Sequence, residues 1–138
     1  MHALPDPFDP NLLDLDWQFR MYAGENADIA CFVDEEDYHY FTQWLWVLKR
    51  SPCGKLYFRR AISTYDVLGK REGSETVYLH IEICRRACGE MPTRLRCIAD
   101  HLDGDTLNNR RFNFRWATKR ENNRNRFGSY LRQQSLAI

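Results

Sequence analysis

The apolar positions of this chain change spacing several times, and each change predicts an element. Residues 29–34, IACFVD, read as a short strand. From 34 to 46, DEEDYHYFTQWLW, an acidic cluster gives way to aromatics. Asp34 is placed to cap a helix there, with Glu35, Glu36 and Asp37 in a first turn that the macrodipole favours. WVLKR and KLYFRRAI then flank a turn at Ser51-Pro52-Cys53-Gly54. Two β-branched and aromatic runs around a Pro/Gly turn predict a hairpin. In its second run Leu56, Phe58 and Arg60 alternate with Tyr57, Arg59 and Ala61, so one face can pack while the other presents Tyr57 and Arg59.

Residues 64–75 predict a loop or a short helical turn. In 76–88, TVYLHIEICRRAC, strand formers overlap Leu79, Ile83 and Ala87 at four-residue spacing, which predicts a strand running into a helix that Gly89 stops. After a turn at Pro92, LRCIAD (95–100) predicts a strand, HLDGDTLNNRR a polar loop, NFRWAT (113–118) a second strand and KRENNRNR (119–126) a helix. Apolar residues between Leu12 and Met21 allow part of 1–27 to pack as an arm, with the first ten residues expected to be mobile.

A length of 138 residues bounds this to one compact domain, or two small subunits sharing a core. No run of about 18 apolar residues is present to span a membrane. The acidic, proline-broken start lacks the basic and apolar regions of a secretory signal. Cys31, Cys53, Cys84, Cys88 and Cys97 are odd in number and scattered, which argues against a disulfide framework. They are expected to be reduced, mostly buried thiols of a cytoplasmic protein. Cys84 and Cys88 share a helix face but do not complete a four-ligand zinc site.

The net charge of +1 hides an asymmetry: −9 over residues 1–40, +3 over 41–105 and +7 over 106–138. A basic final quarter suggests a polyanionic partner at that end. The acidic start is expected to be a solvated arm, with engagement of a protein partner as the sharper alternative.

The chemistry concentrates in CIADHLDGDTLNNRRFNFRWATKRENNRNR, 97–126. Strand, loop, strand and helix place Asp100 and His101 at one strand end, Asn113 on the next strand and Asn122 in the first turns of the helix. A hairpin folded over a helix can bring the four together. Phosphodiester hydrolysis needs a water deprotonated, phosphate charge neutralised and the leaving oxygen stabilised. His101 suits the first task near neutral pH. Asp100 and the amide oxygen of Asn122 are hard donors suited to Mg²⁺ or Mn²⁺. Asn113 is placed to accept a bond from the His101 ring N–H and fix its tautomer. Asp103, Asp105, Asn108 and Asn109 read as turn and loop residues. His80 reads as a packed histidine at a strand-to-helix junction. Arg110, Arg111, Arg115, Arg120, Arg124 and Arg126 surround the motif and are candidate phosphate contacts, with Arg120 and Arg124 four apart on the helix.

The stretch DHLDGDTLNNRRFNFRWATKRENNRNR resembles the HNH nucleases with a ββα-metal fold, particularly the phage homing-endonuclease type. FVDEEDY (32–38), Trp44, Trp46, GKLYFRRA (54–61) and VYLH (77–80) extend the likeness upstream. The resemblance implies that His101 is the general base, that Asn113 orients it, and that Asp100 and Asn122 hold one divalent cation. It also implies cleavage of double-stranded DNA to 5′-phosphate and 3′-hydroxyl ends. Two departures stand out. Phe114 replaces the usual leucine, and Asn122 replaces the histidine of many members, which tilts the cation towards Mg²⁺ or Mn²⁺.

Together these readings predict an α+β protein. Residues 1–28 form an acidic arm, 29–94 a small antiparallel sheet and connecting helix, 95–126 the nuclease module and 127–138 a tail. A monomer would nick, and a symmetric homodimer would cut both strands. The alternative is a DNA-binding module without catalysis, in which the 44–61 hairpin enters a groove and the C-terminal arginines clamp phosphates.

Overall fold

The computed structural model describes residues 19–24 and 26–131, and the side chains of 26–28 are left aside. The expected mobility of the first ten residues therefore lies outside the described part. Among the described residues seven strands form three antiparallel sheets. The first pairs β1 (Arg20–Ala23) with β2 (Asn26–Phe32). After α1 (Glu35–Phe41) come β3 (Val47–Arg50), β4 (Leu56–Tyr65) and β5 (Arg71–Tyr78), ordered β3-β4-β5. Then α2 (Leu79–Cys88) leads to the third sheet, β6 (Ile98–His101) with β7 (Phe114–Ala117), and to α3 (Lys119–Arg124).

Most of this follows the predicted pattern. The hairpin around 51–54 and the strand-to-helix passage at Tyr78/Leu79 are both present. Gly89 stops α2 at φ 77, a conformation its missing Cβ permits. The helix α3 carries a full capping box, with the Thr118 hydroxyl accepting from Glu121 N–H and the Glu121 carboxylate accepting from Thr118 N–H. Those bonds, led by the one from the Thr118 backbone, hold the Glu121 carboxyl below its ordinary pKa.

Several expectations are corrected. Residues 64–75 are not a loop: β4 and β5 continue through them as a long hairpin turning at 66–70. Asp66 makes this turn by accepting the N–H groups of Leu68 and Lys70. Residues 20–23, assigned to the arm, form β1. The single upstream sheet becomes two separate ones. Asp34 holds the N-cap position of α1 as expected, but its side chain makes no capping bond; the carboxylate accepts the N–H of Arg111 at 2.7 Å instead. All five cysteines are free, but only Cys31 and Cys84 are buried.

One core unites the elements. Met21, Cys31, Val33, Phe41, Trp46, Phe58, Leu79, Ile83, Cys84, Ala99, Phe114 and Trp116 form a single apolar cluster. The predicted boundary near residue 94 thus crosses no gap in packing. At the centre, α2 packs on β4, β5, β6 and β7. Its Leu79, Ile83 and Cys84 are completely buried, as the four-residue spacing foretold for the first two. Among the described residues no helix is long and apolar enough to cross a membrane.

Candidate active site

Asp100 and His101 end β6, where pairing with Arg115 and Phe114 of β7 fixes which way each faces. Both are buried. The polar loop after β6 is anchored at long range. Phe32 of β2 donates its N–H to Leu107 O, and Asn109 donates its N–H to Phe32 O. Thr106 donates its hydroxyl to Leu56 O of β4. Within the loop, Gly104 adopts φ 77 and lies so close to Gly128 that a Cβ would stand 2.6 Å from the Gly128 nitrogen. The Asp-Gly-Asp run is turn chemistry, as its composition suggested. The Asp103 carboxylate accepts from Asp105 N–H and Asn108 Nδ2, and Asp105 accepts from Leu107 N–H.

The loop path decides what touches the imidazole. His101 Nε2 lies 2.8 Å from Asn109 Oδ1. An amide oxygen accepts only, so Nε2 carries the proton and Nδ1 keeps its lone pair. Asn109 is itself buried, and its side chain also hydrogen-bonds the Cys31 thiol. Burial pushes that thiol up to about 12, so it stays protonated. Burial likewise pulls the His101 pKa below its ordinary value, more than the Asn109 bond raises it. The ring is neutral near pH 7, the form a general base requires.

Asn113 does not make the contact expected of it. Its Oδ1 accepts Asp103 N–H at 3.1 Å, and its Nδ2 donates to Asp103 Oδ1 and Asn108 O. It clasps the loop that carries Asn109, and so reaches His101 only through that loop. The residue that bonds the ring is Asn109, read from sequence as loop-stabilising. The run Asn108-Asn109 was visible, but which asparagine meets the ring depends on pairing with β2, more than 70 residues away.

Asp100 Oδ2 accepts from Arg115 Nε at 2.7 Å and from Asn125 Nδ2 at 3.0 Å. Oδ1 has no partner among the described residues. Asn125 was also missed by sequence reasoning. Its Nδ2 is shared with the carbonyls of His101 and Leu102, and its Oδ1 accepts Tyr130 N–H, so it pins the end of α3 to β6. Asn122 is half-buried on α3. It lines a cleft of about 470 Å³ together with Asp100, His101, His80 and the exposed Asn123. Three of the four residues predicted to converge thus share this cleft, and Asn113 braces it from behind.

His80 is part of the site. Its ring lies 5.5 Å from that of His101 and 4.8 Å from that of Tyr57, centre to centre. Burial, with His101 beside it, lowers its pKa to about 3. It is a neutral wall of the cleft.

The arginines divide. Arg111 donates to both oxygens of Asp37, which is fully buried, and pairs with Glu36. Arg115 is held by Asp100 and lies over the Tyr130 ring at 4.1 Å. Both of these candidate phosphate contacts are thus engaged by buried carboxylates within the chain. Arg110 lies over the Phe32 ring. Arg120, Arg124 and Arg126 are exposed on and just after α3.

Among the described residues no cluster of three or more His, Cys, Asp or Glu is placed to hold a metal. One carboxylate oxygen and one amide oxygen on an open cleft are donors that suit a divalent cation able to keep water and substrate oxygens.

A small mixed α/β chain whose buried acid and neutral imidazole end one strand, with carboxamides brought in by a loop and a helix, has the equipment of a hydrolase. Comparison with known families names the class: residues 77–124 match the family described as HNH endonuclease. That stretch contains His80, Asp100, His101, Asn109, Asn113 and Asn122, and the match bears out the likeness to HNH nucleases read from the motif. It indicates a nuclease, with DNA as substrate and a divalent metal as the class's usual requirement. No curated protein and no solved structure matches the chain.

Proposed function

We propose that this chain is a metal-dependent DNA endonuclease of the phage homing type that hydrolyses phosphodiester bonds at the His101 cleft. One observation carries the reading: a buried imidazole, held through Nε2 by Asn109, stands next to Asp100 in a cleft that Asn122 also lines. His101 Nδ1 takes the proton from the attacking water. The Nε2–H bond to Asn109 remains in place and disperses the charge that the ring gains. Asp100 Oδ1 and the Asn122 amide oxygen would hold one Mg²⁺ or Mn²⁺, which neutralises phosphate charge and stabilises the leaving oxygen. Arg115 and Asn125 hold Asp100 by its other oxygen and keep Oδ1 turned to that task. Arg120, Arg124 and Arg126, exposed and basic, are proposed to contact the DNA backbone.

The test is incubation with supercoiled plasmid in Mg²⁺, Mn²⁺ or EDTA, beside His101→Ala. Metal-dependent nicking or linearisation that His101→Ala abolishes is the expected result. A gel shift without cleavage overturns it in favour of the binding module.

A further inference from the structure

The cleft has a second wall, which belongs to the β3–β4 hairpin and lies outside residues 77–124. Lys49, Lys55 and Tyr57 line it from that side, and Arg126 from the end of α3. The cleft is therefore lined by three cations and one carboxylate, Asp100, which Arg115 already neutralises. Such a balance favours an anion. Lys55 is the cation that is held in place. Its Nζ donates to Gly104 O at 2.9 Å and to Arg126 O at 2.6 Å, and no carboxylate among the described residues pairs with it. An ammonium has three protons. Two are used on carbonyls, which orient the group without cancelling its charge, and one remains.

We infer that Lys55 binds the phosphate of the cleaved strand, presented to the cleft as a fixed positive charge by the Gly104 and Arg126 carbonyls. This deepens the proposed function by adding a substrate-binding residue from the hairpin. Lys55 also ties the hairpin to the loop that follows His101 and to the end of α3. A strand seated on it would thus touch all three pieces of chain around the acid–imidazole pair.

The experiment compares the full chain with Lys55→Gln and Lys55→Arg, using a short duplex for binding and plasmid for cleavage. Glutamine keeps N–H donors for the two carbonyls and removes the charge; arginine keeps both. A tie without a substrate role predicts wild-type behaviour for Lys55→Gln. Phosphate binding predicts a kcat/KM lowered about tenfold to a hundredfold, the size of a lost charge-assisted hydrogen bond. It also predicts that the slope of log K against log salt becomes shallower by about 0.9, one phosphate contact. Lys55→Arg should keep the wild-type slope. A wild-type slope and kcat/KM in Lys55→Gln overturn the inference. Should that variant fail to fold, the ¹³Cε signal of Lys55 in the wild-type chain decides: it shifts on adding duplex, and a stationary signal overturns the inference. Slope and shift both read binding. They therefore remain informative if the wild-type chain does not cleave, an outcome that would defeat the proposed function alone.

Discussion

Replacing Asn109 by alanine removes the acceptor of His101 Nε2–H, a 2.8 Å bond between two buried side chains. Asn109 is 1% exposed, so solvent does not take its place. An orphaned buried donor costs about 1–3 kcal/mol. The ring escapes that cost by rotating or by moving its proton to Nδ1. Either response displaces the basic nitrogen from the place the Asn109 bond gives it. Borne in the transition state, the same energy corresponds to a roughly 5- to 150-fold loss of rate. Single-turnover cleavage of supercoiled plasmid at saturating metal measures that loss, and ¹⁵N NMR of the ring reports the tautomer. The wild-type chain should show the Nε2–H form and Asn109→Ala a mixture. Asn113→Ala is the companion variant. It breaks three bonds of the loop and should lower the Tm while leaving the tautomer largely in the Nε2–H form. An Asn109→Ala variant that cleaves at the wild-type rate with an unchanged tautomer would refute the reasoning.

Other consequences are open to measurement. Gly104→Ala forces a β-carbon into a left-handed backbone 2.6 Å from Gly128 N; a loss of about 2 kcal/mol or more is expected in urea melts, and an unchanged midpoint would mean the loop yields freely. Arg111→Ala leaves the buried Asp37 with Arg86 alone, 3.0 Å away, and should cost about 2–4 kcal/mol of stability; a loss of DNA affinity at unchanged stability would restore Arg111 as a phosphate contact. Thr118→Ala removes the cap of α3 and should cost about 1 kcal/mol in the same melts. His80 and His101 both have folded pKa values below the unfolded value near 6.5, so below that pH the unfolded chain binds more protons and stability falls. Each contributes a slope of up to about 1.4 kcal/mol per pH unit. For His80 this runs from about pH 6.5 down to about 3, and His80→Gln should make acid unfolding over that window shallower by one proton.

Much of the architecture was legible because short-range patterns encode it. The four-residue spacing of Leu79 and Ile83 predicted the buried face of α2, and the Pro/Gly turn at 51–54 predicted the β3–β4 hairpin. The 66–70 turn was missed because its signal is local, an Asp66 side chain bonding two backbone N–H groups and Gly69 at φ 82, within residues that are mostly polar and exposed. The carboxylates that engage Arg111 and Arg115 were not legible, because a basic residue in a basic stretch shows nothing of its partner. Those of Arg111 lie on α1, more than 70 positions earlier.

By itself the chain's order of residues determined that an acid and an imidazole end one strand, that carboxamides follow within the next thirty positions, and that the stretch around them resembles a nuclease motif. These are properties of spacing, and spacing survives in a linear string. Tertiary structure alone decided which carboxamide holds the ring, which arginines are consumed by buried acids and that Lys55 faces the cleft. Each of those depends on a partner far away in sequence: Phe32 for Asn109, Asp37 for Arg111, Gly104 and Arg126 for Lys55. A side chain's role is set by whichever group can satisfy its charge or its hydrogen bonds once water is excluded, and only folding selects that group.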